Sequence, residues 1–160
     1  MNHILLHEAR QVWRAVLRAE AQIHVHQWQT WADSQVLSVQ EPPAWVLRLS
    51  TAGSRKTALA AVEQDIGREV ESELDPDALL IGFVVARHLR GELSTEAMWV
   101  KLNQTADVAE FLDSGKWQRY SVEVEAQGEP CESVAMRSLS QVASFANAKL
   151  SLLLSSPAEV

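Results

Sequence analysis

The sequence predicts an all-α protein, a single-domain irregular bundle or array of about six to seven helices. Apolar residues recur at spacings of three and four along several segments, which is the period of an amphipathic helix. The links between these segments are short, as is usual between neighbouring helices of a bundle. The 160 residues are 47% hydrophobic and include six glycines and five prolines. This composition excludes disordered, collagen-like and low-complexity chains.

The first predicted helix covers residues 3–20. Its apolar stripe recurs at spacings of three and four and consists of Leu5, Ala9, Val12, Val16 and Ala19. Three arginines at i,i+4 spacing, Arg10, Arg14 and Arg18, form a basic row on another face. A break is expected at residues 21–24, because the sequence that follows favours β-structure locally and disturbs the stripe.

The second predicted helix covers residues 25–38. It is expected to bury Val25, Trp28, Ala32 and Val36, or a close rotation of that set. Pro42 and Pro43 stop it, because proline lacks a backbone donor and restricts the residue before it. Since proline is also favoured in a first helical turn, a short third helix is predicted from Pro43 to Leu49. A strand is the alternative for residues 45–49.

The clearest periodic segment is residues 56–74, where one face carries Leu59, Val62, Ile66, Val70 and Leu74. The Asp-Pro-Asp sequence at 75–77 is a helix start, with an aspartate cap, proline at the first position and an acid in the first turn. The helix that it opens is predicted to run to about Arg90, with Gly91 following its C-terminus.

Three further helices are predicted in the C-terminal half. Ser94 caps a helix over 95–103, a short helix covers 106–113, and the last helix covers 131–153. Residues 117–126 fit helical spacing, but their second part alternates apolar and polar residues as a strand does. A helix is slightly favoured there because a lone strand has no partner, and a minor strand near 120–126 is the alternative.

Negative charge is concentrated in the second part of the chain. Residues 1–57 hold six Lys and Arg against four Asp and Glu, whereas residues 58–160 hold eight against seventeen. The steepest acidic stretch supplies the candidate partner-binding residues Glu63, Asp65, Glu69, Glu71, Glu73, Asp75 and Asp77. Such a surface repels phosphate backbones, so a nucleic-acid partner is disfavoured and a basic protein partner is favoured. The alternative is a solvated helix face.

No catalytic or metal-binding constellation is recognised, so we expect a non-enzymatic protein without a metal or cofactor. His3 and His7 have the i,i+4 spacing of two metal ligands but lack a third ligand. The thiol of Cys131 is flanked by Glu129 and Glu132, whose charges oppose its ionisation. The scattered glycines form no phosphate-cradling loop, and no Gly-x-Ser-x-Gly motif is present.

A cytoplasmic location and no contact with a membrane are also expected. The single cysteine cannot form an intrachain disulfide. The first 25 residues have no uninterrupted apolar segment of the kind that a secretory signal needs. The longest apolar runs are far shorter than the ~20 residues that cross a bilayer.

Tryptophan is unusually frequent, with six residues against a single tyrosine. They are Trp13, Trp28, Trp31, Trp45, Trp99 and Trp117. Packing between helices is the favoured interpretation. The alternative is a tryptophan-rich apolar interface of a structural or regulatory subunit, because tryptophan is enriched among binding hot spots.

Part of the chain resembles a known class of proteins. The sequence Trp-Gln-Thr-Trp-Ala-Asp at 28–33 is followed by Glu-Pro-Pro-Ala-Trp-Val-Leu-Arg-Leu-Ser at 41–50 and by a helix junction at 91–94. Together these resemble small helical bacterial toxin-immunity proteins over about residues 25–100. The resemblance implies a protein that neutralises a cognate toxin by direct binding, with no catalytic residues. The oligomeric state is left open.

Overall fold

The computed structural model describes residues 4–21, 23–64, 75–105, 111 and 131–155. Within these ranges the chain forms seven helices, and no β-sheet occurs, which confirms the predicted all-α fold. The helices are α1 Leu6–Arg18, α2 Val25–Ser38, α3 Ala44–Ser50, α4 Arg55–Glu63, α5 Pro76–Leu89, α6 Thr95–Thr105 and α7 Cys131–Ser155. The strand alternative for residues 45–49 is wrong, because α3 covers them.

The chain divides into two compact units. Unit 1 consists of Met1–Leu74 with Lys149–Val160, and unit 2 consists of Asp75–Ala148. Helices α1 to α4 and the last turns of α7 therefore belong to unit 1, whereas α5, α6 and the longer part of α7 belong to unit 2. The expectation of a single domain stays a prediction.

Unit 1 is organised around buried indole rings. In it α1 packs against α4, and α3 packs against both α2 and α4. The ring centroids of Trp13 and Trp31 are 5.7 Å apart, and those of Trp31 and Trp45 are 5.9 Å apart in a nearly parallel stack. All three side chains are buried, as is Trp28. Four of the six tryptophans therefore pack in the core, as the favoured interpretation predicted.

The bounds of α2 are those predicted, but its buried face is rotated. Its buried residues are Trp28, Trp31, Ala32 and Gln35. Val25 is exposed and Val36 is half-buried, so the buried face is a close rotation of the named set, which the prediction allowed. The rotation places Trp31 between the rings of Trp13 and Trp45. Burying the indole of Trp31 removes more apolar area from water than burying either valine alone.

Helix α4 ends earlier than predicted. Ser54 caps its N-terminus by accepting the Thr57 N–H at 3.2 Å. Gln64 is extended, with ψ at 133°, so the helix stops at Glu63 instead of continuing to residue 74. The remaining positions of the predicted stripe, from residue 66 onward, lie outside the described residues. At this end α4 contacts α1 through Arg10.

The ends of the unit 2 helices follow the predicted capping signals. The Asp75 carboxylate accepts the Asp77 N–H at 3.0 Å, and Pro76 is the first residue of α5. Gly91 has a φ of +81° after α5, and the two backbone bonds of a Schellman motif close the helix: Gly91 N–H to His88 and Glu92 N–H to Arg87, both 2.9 Å. Ser94 Oγ accepts the Ala97 N–H at 3.1 Å and so caps α6.

The core of unit 2 is mostly aliphatic. Its fully buried large side chains are Leu79, Ile81, Phe83, Met98, Leu102 and Leu139. Gly82 in α5 lies directly against α7, where an added Cβ would be 2.6 Å from the Ala146 Cβ and 2.7 Å from the Val142 carbonyl oxygen. Phe111 is helical and buried. The rest of the predicted 106–113 helix and the 117–126 segment lie outside the described residues.

Candidate interaction surfaces of unit 1

Three of the seven predicted acidic partner-binding residues are described. Glu63 is at the C-terminus of α4 in unit 1, whereas Asp75 and Asp77 open α5 in unit 2. Glu63 Oε1 is 3.4 Å from Arg14 Nε and 3.9 Å from Arg18 Nε, so its charge is partly neutralised. Asp75 is engaged as a helix cap. The other four, Asp65, Glu69, Glu71 and Glu73, lie outside the described residues.

The basic row of α1 faces the end of α4. Arg10 Nε donates to the Val62 carbonyl at 2.8 Å, and its Nη2 donates to the Gln64 carbonyl at 2.5 Å. The same guanidinium lies 5.7 Å from the ring centroid of Trp45. A helix C-terminus carries unpaired carbonyls and a partial negative charge, so a guanidinium stabilises it there. This contact stabilises the C-terminal end of α4.

A groove runs between α2 and the end of α7, within unit 1. Its volume is about 560 Å³, which is in the range of small-ligand and peptide-side-chain sites. Helix α2 lines it with His26, Gln27, Thr30, Trp31, Ser34 and Ser38. Leu154 and Ser155 line it from α7. Four of the α2 residues recur every four positions, so they form one polar stripe along the helix.

The serine hydroxyls of the groove are already used as donors. Ser34 Oγ donates to the Thr30 carbonyl at 3.2 Å, and Ser38 Oγ donates to the Ser34 carbonyl at 2.8 Å. Ser155 Oγ donates to the Leu152 carbonyl at 3.3 Å. A hydroxyl has one proton and two lone pairs. These three groups therefore offer the groove mainly acceptor oxygens.

Two histidines lie at the N-terminus of α2, and one of them, His26, lines the groove. The rings of His24 and His26 are stacked, with centroids 5.7 Å apart and an interplanar angle of 15°. Gln27 Oε1 accepts the His24 N–H at 2.8 Å and thereby closes the first turn of α2. The Gln27 amide nitrogen stays available as a donor at the groove.

Unit 1 also buries polar side-chain atoms that have no hydrogen-bond partner among the described residues. The indole N–H groups of Trp13 and Trp31 and both amide atoms of Gln35 have no hydrogen-bond partner among the described residues. By contrast, the Trp28 indole N–H donates to the Ala52 carbonyl at 2.9 Å. Each unpaired buried group costs about 1–3 kcal/mol. The core of unit 1 therefore carries polar groups that its own packing does not satisfy.

Apolar and acidic side chains flank the groove. Leu154 on its wall is 42% exposed, and Leu37 near the end of α2 is 88% exposed. Leu37 follows Thr30 by seven positions and Asp33 follows it by three, so both flank the polar stripe on the same side of α2. Asp33 is exposed and has no ion-pair partner among the described residues. It is also the only Asp, Glu, Lys or Arg residue in α2.

Two further expectations concern metal binding and contact with a membrane. Among them, no group of three or more His, Cys, Asp and Glu side chains could hold a metal ion. None of the described helices is sufficiently long and apolar to cross a membrane. His3 and the side chain of Cys131 lie outside the described residues.

Some features of these surfaces can be recognised in the sequence. The arginine row is visible in it, but the carbonyls that Arg10 contacts lie more than fifty positions away. The polar stripe of α2 is likewise visible as a four-residue repeat. The opposite wall at Leu154 is far away in the chain, so sequence spacing could not predict a groove.

Comparison with known protein families, curated proteins and solved structures finds no match to this chain.

Proposed function

We propose that this protein is a non-enzymatic binding protein that neutralises a cognate bacterial toxin by direct contact. The partner is a basic protein domain, and the acidic stretch Glu63 to Asp77 contributes to its attraction. The proposal is supported by the acidic excess after residue 57 and by the resemblance to small helical immunity proteins. Complementary charge speeds encounter and selects against other partners.

The observation that carries the proposal is the internal use of the α1 arginine row. A basic row on a helix face is also the footprint of nucleic-acid binding. In this protein Arg10 contacts two carbonyls of unit 1, while Arg14 and Arg18 face Glu63. These cations thus stabilise the end of α4, which favours a basic protein over a phosphate backbone as the partner.

The tryptophan-rich interface of a structural subunit is less well supported. Trp13, Trp28, Trp31 and Trp45 are all at most 6% exposed, so their rings are occupied by contacts inside unit 1. Interface anchors must be accessible before the partner arrives. Trp99, which is half-buried in α6, is the one remaining tryptophan of the described residues for that role.

The direct test uses the purified product of the adjacent gene, because immunity and toxin genes normally lie side by side. Binding is measured by calorimetry at low and high salt. We expect a stoichiometric complex whose affinity falls as salt rises, since screening weakens attraction between surface charges. Absence of binding to that protein, or binding that is insensitive to salt, would contradict the proposal.

A matched pair of double variants tests the acidic stretch itself. Glu71→Gln with Glu73→Gln removes two charges from the stretch. Glu41→Gln with Glu96→Gln removes two exposed acids elsewhere, so the net charge is the same in both variants. The first pair is expected to weaken binding and flatten its salt dependence more than the second. Equal effects would show that only net charge matters.

A further inference from the structure

Helices α1 and α4 of unit 1 each supply an arginine to the C-terminal end of the other. Arg10 of α1 donates to the Val62 and Gln64 carbonyls at the end of α4, at 2.8 and 2.5 Å. Arg55, the first residue of α4, donates from Nη2 to the Ala21 carbonyl just after α1, at 2.7 Å. The two helices pack against each other in this antiparallel arrangement. Each guanidinium therefore lies where the partial negative charge of a helix C-terminus favours a cation.

The turn that Arg55 contacts has a strained backbone. The Ala21 N–H donates to the Val16 carbonyl and the Glu20 N–H donates to the Leu17 carbonyl, both at 3.2 Å. These are the two bonds of a Schellman motif, in which glycine usually takes the position that Glu20 occupies here. Glu20 has a φ of +55°. This conformation is disfavoured for a residue with a Cβ, because the Cβ comes too close to the following carbonyl oxygen.

The end of α5 provides a comparison within the same chain. Gly91 takes the same position of a Schellman motif there, with a φ of +81°, and glycine has no Cβ to be strained. The turn after α1 therefore carries backbone strain that the turn after α5 lacks. Such strain persists only where surrounding contacts hold the residue in place. The bond from Arg55 to the carbonyl of the residue after Glu20 is a contact of this kind.

We propose that Arg10 and Arg55 form a two-ended clamp between α1 and α4, and that the strained turn at Glu20 is its releasable end. When the Arg55 bond breaks, Glu20 leaves the left-handed region and the last turn of α1 opens. Because α1 and α4 are packed together as rigid helices, the Arg10 contact at the other end weakens as well.

The clamp couples the two candidate interaction surfaces of unit 1. Helix α2, which lines the groove, begins four residues after Ala21. Glu63, the first of the acidic partner-binding candidates, lies between the two residues whose carbonyls Arg10 contacts. A change at either surface is therefore transmitted to the other through the clamp. This coupling is a property of unit 1 and does not depend on the proposed partner.

Amide hydrogen exchange of the full-length protein, followed by NMR, tests the strained end. Arg55→Met keeps an aliphatic stem but removes the bond to the Ala21 carbonyl. It should lower the protection factor of the Ala21 amide at least about tenfold, because a hydrogen bond from a charged donor is lost. Adding Glu20→Gly should restore most of the protection, since glycine adopts this φ without strain. A double variant that stays as unprotected as Arg55→Met would overturn the proposal.

Two single variants of Glu20 separate backbone strain from the loss of the carboxylate. Glu20→Gly should raise the protection of the Ala21 amide, whereas Glu20→Gln keeps the Cβ and should not. Both retain Arg55, so this test does not depend on the folding of Arg55→Met. Equal changes in the two variants would show that the backbone at Glu20 is not strained. The Gly91 amide of the α5 motif is the internal reference, and an equal change there would mean general destabilisation and no clamp.

The coupling is measured at the end opposite to each substitution. Arg55→Met should also lower the protection of the Gln64 amide, and Arg10→Met should lower that of the Ala21 amide, each by about threefold or more. Arg48→Met in α3 is the matched control and should change neither amide, because the Arg48 Nε has no hydrogen-bond partner among the described residues. Loss of protection only at the substituted end would show two independent helix caps and would overturn the clamp.

Discussion

The two compact units bury different chemistry. Unit 1 is built around Trp13, Trp31 and Trp45 and encloses the Gln35 amide and two indole N–H groups without partners among the described residues. Unit 2 buries mostly aliphatic side chains and brings α5 and α7 together at Gly82. The aliphatic unit depends on close shape complementarity. The indole-rich unit buries polar groups that lack hydrogen-bond partners, which lowers its stability. It is also the unit that carries the groove.

This difference has a physical basis in the side chains. Aliphatic side chains carry no hydrogen-bonding groups, so burying them leaves no polar atom of their own unsatisfied. An indole buries a large area but brings an N–H that needs an acceptor. Trp28 finds one at the Ala52 carbonyl, whereas Trp13 and Trp31 do not. The stability of unit 1 therefore combines a large gain from burying indole rings with a loss from the indole N–H groups that lack an acceptor.

The largest expected effect comes from truncating the most deeply buried tryptophan of unit 1. Trp13→Ala should lower the free energy of unfolding by about 3–5 kcal/mol, because it removes a fully buried ring and leaves a cavity. Urea denaturation followed by circular dichroism measures the change. Trp99→Ala, at a half-buried position of unit 2, serves as the control. Similar losses in the two variants would contradict the central role of Trp13.

The next effect tests the close packing of unit 2. Gly82→Ala should lower the free energy of unfolding by about 1–3 kcal/mol, because the new methyl group would overlap Ala146 and the α7 backbone at Val142. Gly53→Ala is the matched control, since nothing lies within 4 Å of a Cβ there. A control variant that loses as much stability as Gly82→Ala would show that close approach is not the cause.

The features encoded locally were predictable from the sequence. The end of α2 and the start of α5 followed from proline and aspartate signals, and the Gly91 and Ser94 caps followed from residues beside the helices that they close. Each of these depends on hydrogen bonds that span only a few residues. Local residue types are therefore sufficient to specify them.

The features that depend on distant contacts were not predictable in this way. The apolar period suggested that α4 continues past Glu63, but Arg10 binds the carbonyls at its end from another helix. The buried face of α2 is set by the contacts of Trp31 with Trp13 and Trp45. The candidate groove needs Leu154 as its second wall. No spacing in one segment contains that information.

Substitution of Gln35, whose buried amide lacks hydrogen-bond partners, is expected to raise the free energy of unfolding. Gln35→Met should raise the free energy of unfolding by about 1 kcal/mol, because methionine fills a similar volume and removes two unpaired polar atoms. Gln29→Met on the same helix is the control and should lower it by about 0.5–1.5 kcal/mol, since Gln29 Nε2 donates to the Ala52 carbonyl at 2.8 Å. Thermal unfolding of both variants measures the signs. Destabilisation by Gln35→Met would mean that its amide is satisfied in solution.

The smallest expected effect concerns the ion pairs at the end of α4. Glu63→Gln should lower the free energy of unfolding by less than about 1 kcal/mol, because Glu63 is 38% exposed and water screens its attraction to Arg14 and Arg18. The loss should disappear near 1 M salt, where the screening length is about 3 Å. Glu41→Gln removes an exposed acid that has no ion pair among the described residues, and it should change nothing measurable at either salt concentration. Urea unfolding of the three proteins at low and high salt tests this. A larger loss that persisted at high salt would mean that Glu63 is held in a drier environment, and that unit 1 depends on this charge as it depends on its indole core.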